Sequence, residues 1–392
     1  MNKQEAETRK LDQSVAVSFD YPVVFTADVF APDNAALLDA MTRLGETRRH
    51  RAAVYLDAGV VQHRPQLACM VENYFLRHPN AMELAAPPRV VPGGEAIKSD
   101  LARIRDIIGD LAALKLDRHA FVIIVGGGAV LDAVGFAASL IHRGLRVIRV
   151  PTTVLAQNDA GVGVKTGINF LGGKNMLGTF APPFAVINDF DFLFSLSDAH
   201  WTDGIAEAFK VAIIKDAGFF DWLFDHAPAL AKRDQPAMEH LVVRCAELHL
   251  EHIRGGGDPF EMGRARPLDF GHWSAHRLEV MSGYAVSHGQ AVAIGIALDA
   301  CYAAKKMWLS RDQYLRVCAG LRAAGFALWH PLLARRDAAG RLDILQGLRD
   351  FQEHLGGELC ITMPQGLGRK FEVHEMEEEL IEACILELKA AV

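Results

Sequence analysis

The chain has 392 residues, of which 51% are hydrophobic and 23% charged, and its formal net charge is −7. This balance is typical of a globular protein, and the length favours two domains. The negative charge and the absence of a Lys/Arg-rich block argue against nucleic acid and membrane as partners. No apolar run reaches the roughly 20 residues that a membrane-spanning helix needs.

The cysteines and the N-terminus bear on location. The six cysteines form no CxxC pair, and their irregular spacing favours reduced thiols. The first ten residues, MNKQEAETRK, are polar and do not resemble a signal peptide. Together these features predict a cytoplasmic protein.

The first half of the chain carries strand and helix signals in alternation. RRHRAAVYLDAGVV predicts a buried strand that ends at Asp57, and FVIIV predicts a second one. Three glycines at 126–128 form the next turn, and the helix AVLDAVGFAASLIHR is expected to end at Gly144. LRVIRVPTT and FAVINDF predict further strands. Strand–helix–strand units with short turns are typical of a mostly parallel sheet.

The second half is predicted to be helical. After about residue 195 strand signals become scarce, and long amphipathic patterns such as PAMEHLVVRCAELHLEHI and QAVAIGIALDACYAAKKM take over. We therefore predict an α/β domain over residues 1–194 and an all-α domain over residues 195–392. The cleft between two such domains is the default place for an active site.

The glycine turn at 126–128 could hold a cofactor. Glycines allow a close approach to the backbone, and the N-terminus of the following helix favours an anion such as a pyrophosphate. The turn does not form the GxGxxG motif, because Ala129, Val130 and Leu131 follow directly. A simple tight turn therefore remains the alternative.

Lysines and an acidic residue stand in unusual surroundings further on. GVGVKTGINFLGGKNMLGTF holds Lys165, Lys174 and Asn175 among six glycines, which is typical of a clamp for phosphate or another oxyanion. A flexible surface loop is the alternative. Glu207 and Lys210 lie three apart in an apolar helix, where a carboxylate must be paired or bind a metal. A helical Glu–Lys pair would satisfy the first condition.

Three histidines follow in the helical half. His272 and His276 are four apart, which places them on one face of a helix, and His288 precedes another apolar helix. Two helices joined by a short turn could bring His272 and His288 together. Glu207 would complete a His₂Glu set, a pattern of catalytic zinc sites that leaves one position open for substrate. Histidines buried in the core are the alternative.

Taken together, these motifs resemble the sugar phosphate cyclase superfamily, to which 3-dehydroquinate synthase belongs. The resemblance covers roughly residues 50–300 and is densest in GGGAVLDAVGFAASLIHRGLRVIRVPTTVLAQNDAGVGVKTGIN, GGKNMLGTF, GIAEAFK, DFGHWSAHRLE and SHGQAVAIG. It implies an N-terminal Rossmann-like NAD-binding domain, a C-terminal helical metal-binding domain and a homodimer.

The resemblance also implies roles for single residues. Those that resemble the NAD-binding set are Asp57, Glu95, Lys98, Gly127, Gly128, Asp132, Thr152 and Thr153. Those that resemble the ligands of Zn²⁺, with Co²⁺ as the other candidate, are Glu207, His272 and His288. Those that resemble the substrate site are Lys174 and Asn175 and, with expected catalytic roles, Asp159, Lys165, Lys210 and His276. Arg143 matches an arginine that reaches the phosphate site of the neighbouring subunit.

The implied reaction uses NAD transiently. A ring hydroxyl is oxidised to a ketone, which acidifies the adjacent C–H so that phosphate leaves by β-elimination. NADH then returns the hydride, the ring opens, and an aldol step closes the new ring. Protein groups mainly position the sugar phosphate and stabilise oxyanions.

The chain departs from 3-dehydroquinate synthases at one informative place. Their pattern is roughly ELK…GLR..LNFGHT.GH, and here the lysine becomes His249, the arginine becomes Ala265 between Arg264 and Arg266, and the asparagine becomes Asp269. These positions belong to the family's polar set that meets the substrate, including its carboxylate. Asp269 would repel a carboxylate by about 1–3 kcal/mol, or more if buried. It would suit a hydroxyl, for which a carboxylate is a good acceptor.

We therefore predict sedoheptulose 7-phosphate, which lacks that carboxylate, as substrate, and a valiolone-type C7 cyclitol as product. Relatives that make 2-epi-5-epi-valiolone typically carry proline where this chain has His276, so 2-epi-valiolone is the favoured product. The alternatives are 3-dehydroquinate synthase itself, a metal-dependent polyol dehydrogenase of the same architecture, and a non-catalytic relic.

Overall fold

The computed structural model describes residues 10–171, 173–256, 260, 267–354 and 357–391. The strands in these residues are β1 (Val23–Thr26), β2 (His50–Asp57), β3 (Met82–Leu84), β4 (Arg89–Val91), β5 (Phe121–Gly126), β6 (Arg146–Pro151), β7 (Lys165–Phe170), β8 (Gly173–Phe180), β9 (Ala185–Asp189), β10 (Ile361–Pro364) and β11 (Lys370–Val373).

The helices are α1 (Ala36–Thr42), α2 (Ala58–His63), α3 (Leu67–Arg77), α4 (Ala96–Ser99), α5 (Leu101–Ala113), α6 (Gly128–Leu140), α7 (Asp198–Lys215), α8 (Ala217–Ala231), α9 (Gln235–Gly255), α10 (His272–Met281), α11 (His288–Lys305), α12 (Arg311–Ala323), α13 (Gln346–His354) and α14 (Glu378–Ala390). Short 3-10 turns and one π-helical turn, Ala156–Ala160, connect some of them.

A seven-stranded parallel sheet forms the first half. Its order is β1-β9-β6-β5-β2-β3, and β4 also pairs with β2. The central strands are apolar on both faces, because α5 and α6 cover one face while α1 and α3 cover the other. Because β2, β5 and β6 pair in parallel, their carboxyl ends meet at one edge of the sheet. This edge is the usual place for a ligand in such folds.

The predicted strands at β2, β5, β6 and β9 are confirmed, but the helix after the glycine turn is shorter than expected. Helix α6 ends at Leu140, and a 3-10 turn, Ile141–Arg143, separates it from Gly144. The reason is local, since His142 and Arg143 adopt left-handed backbone with φ of 52° and 66°. These angles are incompatible with a continuing right-handed helix.

The glycine-rich segment with the two lysines forms an antiparallel hairpin. Strands β7 and β8 pair Lys165 with Phe180 and Thr166 with Thr179, and β7 packs against α6. The flexible-loop alternative is therefore wrong. Two of the glycines are explained by the close approach of the neighbouring strand. A methyl group on Gly178 would overlap the carbonyl of Thr166, and a methyl group on Gly167 would approach the carbonyl of Leu177.

The second half is helical, as predicted. Helix α11 lies at its centre and contacts α7, α10, α12 and α14. The small hairpin of β10 and β11 was not predicted. The last strand of the parallel sheet ends at Asp189 and α7 begins at Asp198, while the domain boundary at 194/195 stays a prediction. None of the described helices combines the length and apolar character needed to cross a membrane.

His50, the first residue of β2, should make the stability depend on pH. Its buried ring packs edge-on against Phe121, and neither ring nitrogen has a hydrogen-bond partner among the described residues. Burial lowers the pKa of His50, Glu46 opposes this shift and Arg146 adds to it. The unfolded chain therefore holds the proton on His50 more tightly than the folded protein does. The folded state has its full stability above about pH 6.5 and loses stability as the pH falls below this value.

We expect the free energy of unfolding to fall as the pH drops below about 6.5, by up to about 1.4 kcal/mol per pH unit from this group. Urea unfolding of the wild-type protein and of His50→Leu at several pH values measures the effect, and the variant should show the smaller slope. His63→Leu, which changes an exposed histidine, should keep the wild-type slope. Equal slopes for His50→Leu and wild type would contradict this expectation.

Candidate active site

Three side chains from three helices converge in the helical half. Glu207 lies in α7, His272 begins α10 and His288 begins α11. The Nε2 atoms of His272 and His288 lie 3.3 and 3.2 Å from Oε1 of Glu207. One ligand atom from each residue lies within 4.8 Å of the others. Two imidazoles and one carboxylate at this spacing can bind a single divalent ion with a coordination position to spare.

Contacts on the Nδ1 atoms fix the orientation of both imidazoles, so that both Nε2 atoms face Glu207. Nδ1 of His272 lies 3.0 Å from the Phe270 carbonyl, and Nδ1 of His288 lies 3.2 Å from Oε2 of Glu279. Both contacts favour a proton on Nδ1 and leave the Nε2 lone pairs for a ligand. The residues present therefore fit a metal ion of the zinc type.

Glycines allow the three helices to approach closely. Gly271, at φ 78°, precedes α10. A methyl group at Gly295 of α11 would overlap the carbonyl of Gly271. Gly289 follows His288 and lies against the backbone of Asp203 in α7, where a methyl group would also overlap. The distance between His288 and the helix that carries Glu207 therefore depends on Gly289 having no side chain.

Gly289→Ala is expected to push α11 away from α7 and to weaken metal binding about 10- to 100-fold, the range seen when groups that orient a ligand are lost. Competition with a chromogenic zinc chelator measures the affinity. Gly109→Ala is the matched control, because a methyl group added there meets nothing. Wild-type zinc affinity in Gly289→Ala would show that the close approach is not needed.

A buried polar network extends from Glu207 toward the sheet. Lys210 contacts Glu207, and its Nζ lies 3.9 Å from Oδ1 of Asp159, which in turn lies 2.9 Å from Nδ1 of His249. Burial raises the pKa of Glu207, but Lys210 and His272 outweigh it, so this pKa lies well below its usual value. Burial likewise raises the pKa of Asp159, yet Lys210 and His249 bring it down to about 2. Both carboxylates are therefore ionised at neutral pH.

A cavity of about 460 Å³ opens beside this network. The predicted site residues that line it are Asp132, Asp159, Lys165, Asn175, Lys210, His249, Asp269 and His272. Residues that sequence reasoning missed also line it, among them His252, Thr179 and Phe180. The predicted substrate residues are thus largely brought together, although they come from the π-turn, the hairpin, α7, α9 and the 3-10 turn Pro267–Asp269 before α10.

Other predicted substrate residues lie outside this lining. The ring of His276 lies 5.2 Å from that of His272, centroid to centroid, one helical turn along α10. Arg143 is exposed in the left-handed turn after α6 and does not line the cavity. Arg264 and Arg266 lie outside the described residues.

Glu279 connects the hairpin to the metal-type cluster, and sequence reasoning assigned it no role. Nζ of Lys174 lies 2.9 and 3.2 Å from its two carboxylate oxygens, and the same carboxylate contacts His288. Glu279 follows His272 and His276 on one face of α10 at a spacing of seven and three residues. This stripe was a signal that could have identified it.

The predicted cofactor residues meet where β2, β5 and β6 end. Asp57 accepts a hydrogen bond from the Gly59 amide at 2.8 Å, and its second oxygen lies 3.5 Å from the Gly127 amide. The N-terminus of α6 has no side-chain cap, and the buried hydroxyl of Thr152 has no partner among the described residues. Thr153 caps the next turn at Ala156. Open amides, an unpartnered hydroxyl and glycines fit a dinucleotide lying across this edge.

Lys98 joins this edge to the hairpin. Its buried Nζ lies 2.7 Å from Asp132 and contacts the side chain of Asn175. Glu95 lies 3.8 Å from Lys98 and accepts a hydrogen bond from Asn169 of β7 at 3.0 Å. Lys98 therefore connects Glu95 and Asp132 of the predicted cofactor set to Asn175 of the predicted substrate set.

Two family models match consecutive parts of the chain. Residues 89–203 match 3-dehydroquinate synthase N-terminal, and residues 204–344 match 3-dehydroquinate synthase C-terminal. A 3-dehydroquinate synthase from Nitrosococcus oceani is 35% identical over 297 residues, which cover 76% of this chain and 80% of that protein.

Solved structures share the fold over nearly the whole chain. A 2-epi-5-epi-valiolone synthase from Streptomyces hygroscopicus subsp. jinggangensis 5008, with NAD⁺ and Zn²⁺ bound, is 29% identical, has a TM-score of 0.85, and matches over 97% of this chain and 100% of its own. A 2-deoxy-scyllo-inosose synthase, complexed with carbaglucose-6-phosphate, NAD⁺ and Co²⁺, is 21% identical with a TM-score of 0.73 over 93% of this chain and 96% of its own, and shows the shared fold. The chain therefore belongs to the 3-dehydroquinate synthase family, within the sugar phosphate cyclase superfamily.

Proposed function

We propose that this cyclase converts sedoheptulose 7-phosphate to a valiolone-type C7 cyclitol, with 2-epi-valiolone as the favoured product, and eliminates phosphate as a carbon–oxygen lyase. The observation that carries the proposal is Asp269 in the cavity wall, together with Asp159 and His249. These groups suit a polyhydroxylated substrate, because carboxylates accept hydrogen bonds from hydroxyls and the ring nitrogen of an imidazole can also bond to one.

The charges around the cavity support a substrate with one anionic group. Among the described lining residues the carboxylates are Asp132, Asp159 and Asp269, and the ammonium groups are Lys165 and Lys210. Lys210 is already engaged by Glu207 and Asp159. A phosphate can be met by the lysines of the hairpin, but a second anion on the same sugar would have to approach Asp269, which costs free energy.

The cofactors are proposed to be NAD and Zn²⁺, with Co²⁺ as the alternative metal; the valiolone synthase of similar fold contains NAD⁺ and Zn²⁺. The α/β domain would hold NAD through the edge formed by Asp57, Gly127, Gly128, Thr152 and Thr153. Glu207, His272 and His288 of the helical domain would hold the metal. When bound, NAD supplies a reversible hydride acceptor and the metal a Lewis acid for the reacting oxygen.

The residues of the chain itself would position the sugar and move protons. Nδ1 of His249 faces Asp159, which leaves its Nε2 for a hydrogen bond with a substrate hydroxyl. Lys165 and Lys210 would stabilise oxyanions, and Lys174 and Asn175 would orient the phosphate. His276, one turn from His272, would exchange a proton during elimination and reduction.

The remaining parts of the proposal concern residues beyond this cavity. Arg143, exposed at the end of α6, is proposed to reach the phosphate site of a second subunit in a homodimer. Arg264 and Arg266 are proposed to contact the substrate. Glu95, Lys98 and Asp132 are proposed to complete the NAD site.

Phosphate release with two substrates tests the function. The NAD- and zinc-loaded protein is incubated with sedoheptulose 7-phosphate and, separately, with the carboxylated heptulosonate 7-phosphate that 3-dehydroquinate synthases use, and NMR identifies the products. We expect phosphate and a C7 cyclitol from the first sugar. Phosphate release from the carboxylated sugar alone would overturn the proposal.

The second candidate is 3-dehydroquinate synthase, favoured by the relative that is 35% identical. The same assay separates the two, because only one sugar carries the carboxylate. Net accumulation of NADH with a simple polyol would instead indicate a dehydrogenase, since the cyclase reaction returns its hydride.

A further inference from the structure

Arg149 is a buried cation in the centre of the sheet. It lies in β6, between Ile124 of β5 and Val186 of β9, and its side chain is only 1% exposed. Among the described residues no carboxylate lies within ion-pair distance of its guanidinium. Burying a charge in this way is costly, and apolar side chains in such places are often neutral or stabilising. An arginine here therefore calls for an explanation other than stability.

The guanidinium binds a single short segment of backbone. Nη1 donates to the carbonyls of Gly161 and Gly163 at 3.1 and 2.7 Å, and Nη2 donates to that of Lys165 at 3.1 Å. The hydroxyl of Tyr21 donates to the carbonyl between them, that of Val162, at 2.9 Å. The segment 161–165 is thus tied at four of its five carbonyls by the side chains of Arg149 and Tyr21.

This segment forms part of the wall of the cavity. Gly163, Val164 and Lys165 line it directly, and Asp159 lines it two residues before the segment begins. Arg149 does not line the cavity. Its contacts with the segment therefore lie outside the cavity, behind the wall.

We propose that Arg149 is a positioning residue that holds the segment 161–165 in the shape in which Asp159 and Lys165 face the substrate. The planar fork of a guanidinium can bind several carbonyls in a fixed arrangement, whereas one ammonium cannot. The proposal rests on the proposed function, because the reaction that Arg149 would assist is the cyclisation of sedoheptulose 7-phosphate. It assigns Arg149 no contact with the substrate.

Three variants test the hold on the segment. Arg149→Met removes every donor, Arg149→Lys keeps the charge but loses the fork, and Tyr21→Phe removes only the bond to Val162. Ile148→Ala is the matched control, because it creates a cavity on the opposite face of the same strand. Thermal unfolding and the content of bound zinc and NAD are measured for each protein.

Amide hydrogen exchange and kinetics give the readouts. We expect exchange to rise within residues 159–166 in Arg149→Met and Arg149→Lys, less so in Tyr21→Phe, and not in Ile148→Ala. With sedoheptulose 7-phosphate, kcat/KM should fall about 10- to 100-fold in the two Arg149 variants, the loss expected when reacting groups shift by about 1 Å. A general loss of stability would affect Ile148→Ala equally.

The outcomes separate this proposal from the proposed function. Unchanged exchange in Arg149→Met overturns it, and so does raised exchange with wild-type kcat/KM. If the wild-type protein turns over no heptulose phosphate, the proposed function fails on its own. In that case the affinity for inorganic phosphate tests the proposal for Arg149. This affinity must be weaker in Arg149→Met than in Ile148→Ala.

Discussion

Glu207→Gln is expected to remove tightly bound zinc and, with it, almost all phosphate release from sedoheptulose 7-phosphate. One oxygen of the carboxylate lies 3.3 and 3.2 Å from the Nε2 atoms of the two imidazoles, so all three groups can meet one ion. An amide of the same shape keeps the packing but supplies a neutral and weaker ligand. It also leaves the buried Lys210 without its nearest carboxylate. We expect a loss of metal affinity greater than about 100-fold, because even groups that only orient a ligand are worth 10- to 100-fold.

A second variant is expected to lose less zinc affinity than Glu207→Gln. Glu279→Gln changes a residue that touches His288 and Lys174, outside the set of three ligands, and should weaken zinc binding about 10- to 100-fold. Metal analysis after gel filtration and competition with a chelator measure both variants. Glu247→Gln on the exposed part of α9 is the control. A larger loss in Glu279→Gln than in Glu207→Gln would contradict the assignment of Glu207 as a ligand.

Asp269→Asn is expected to shift the substrate preference toward the carboxylated sugar. The amide removes a negative charge from the cavity wall and adds donors that can meet a carboxylate. A charged hydrogen-bonding partner is worth about 1.5–3 kcal/mol, which corresponds to a change of roughly 10- to 150-fold in the ratio of the two kcat/KM values. Activity with sedoheptulose 7-phosphate should fall, since a hydroxyl loses its carboxylate acceptor.

Competition between the two sugars in one reaction measures this ratio directly. Asp33→Asn, at an exposed position, should leave it unchanged. A ratio that stays within a factor of two in Asp269→Asn would show that Asp269 does not select the substrate. The proposed sugar would then lose its main support, although the family membership would stand.

The fold could be predicted because its strands are locally encoded. FVIIV and LRVIRVPTT are apolar and β-branched, which favours buried parallel strands, and the structure confirms them. The resemblance to the sugar phosphate cyclases and the two-part fold class are likewise confirmed. The hairpin of β7 and β8 was harder, because glycines lower strand propensity and the pairing of its strands depends on non-local backbone contacts.

The candidate site was only partly accessible to sequence reasoning. The face shared by His272 and His276 follows from helical spacing alone. Glu207 lies 65 residues before His272, and no periodicity connects them. Their contact was therefore suggested only by the His₂Glu pattern of zinc sites and by the family resemblance. Arg149 gave no signal, because one arginine in an apolar strand does not reveal that its side chain binds the backbone of residues 161–165. The roles of individual site residues stay predictions.

The carboxylate of Glu279 has two partners, and this has a thermodynamic consequence. An anion that draws Lys174 away from Glu279 changes the hydrogen bonding of His288, and a metal ion on His288 changes the charge that Lys174 meets. In the proposed site, the affinities for phosphate and for metal are therefore coupled. Such coupling is reciprocal, so the factor by which phosphate alters metal retention equals the factor by which the metal alters phosphate binding. The anion in the buffer thus belongs to the definition of any metal affinity measured for this protein.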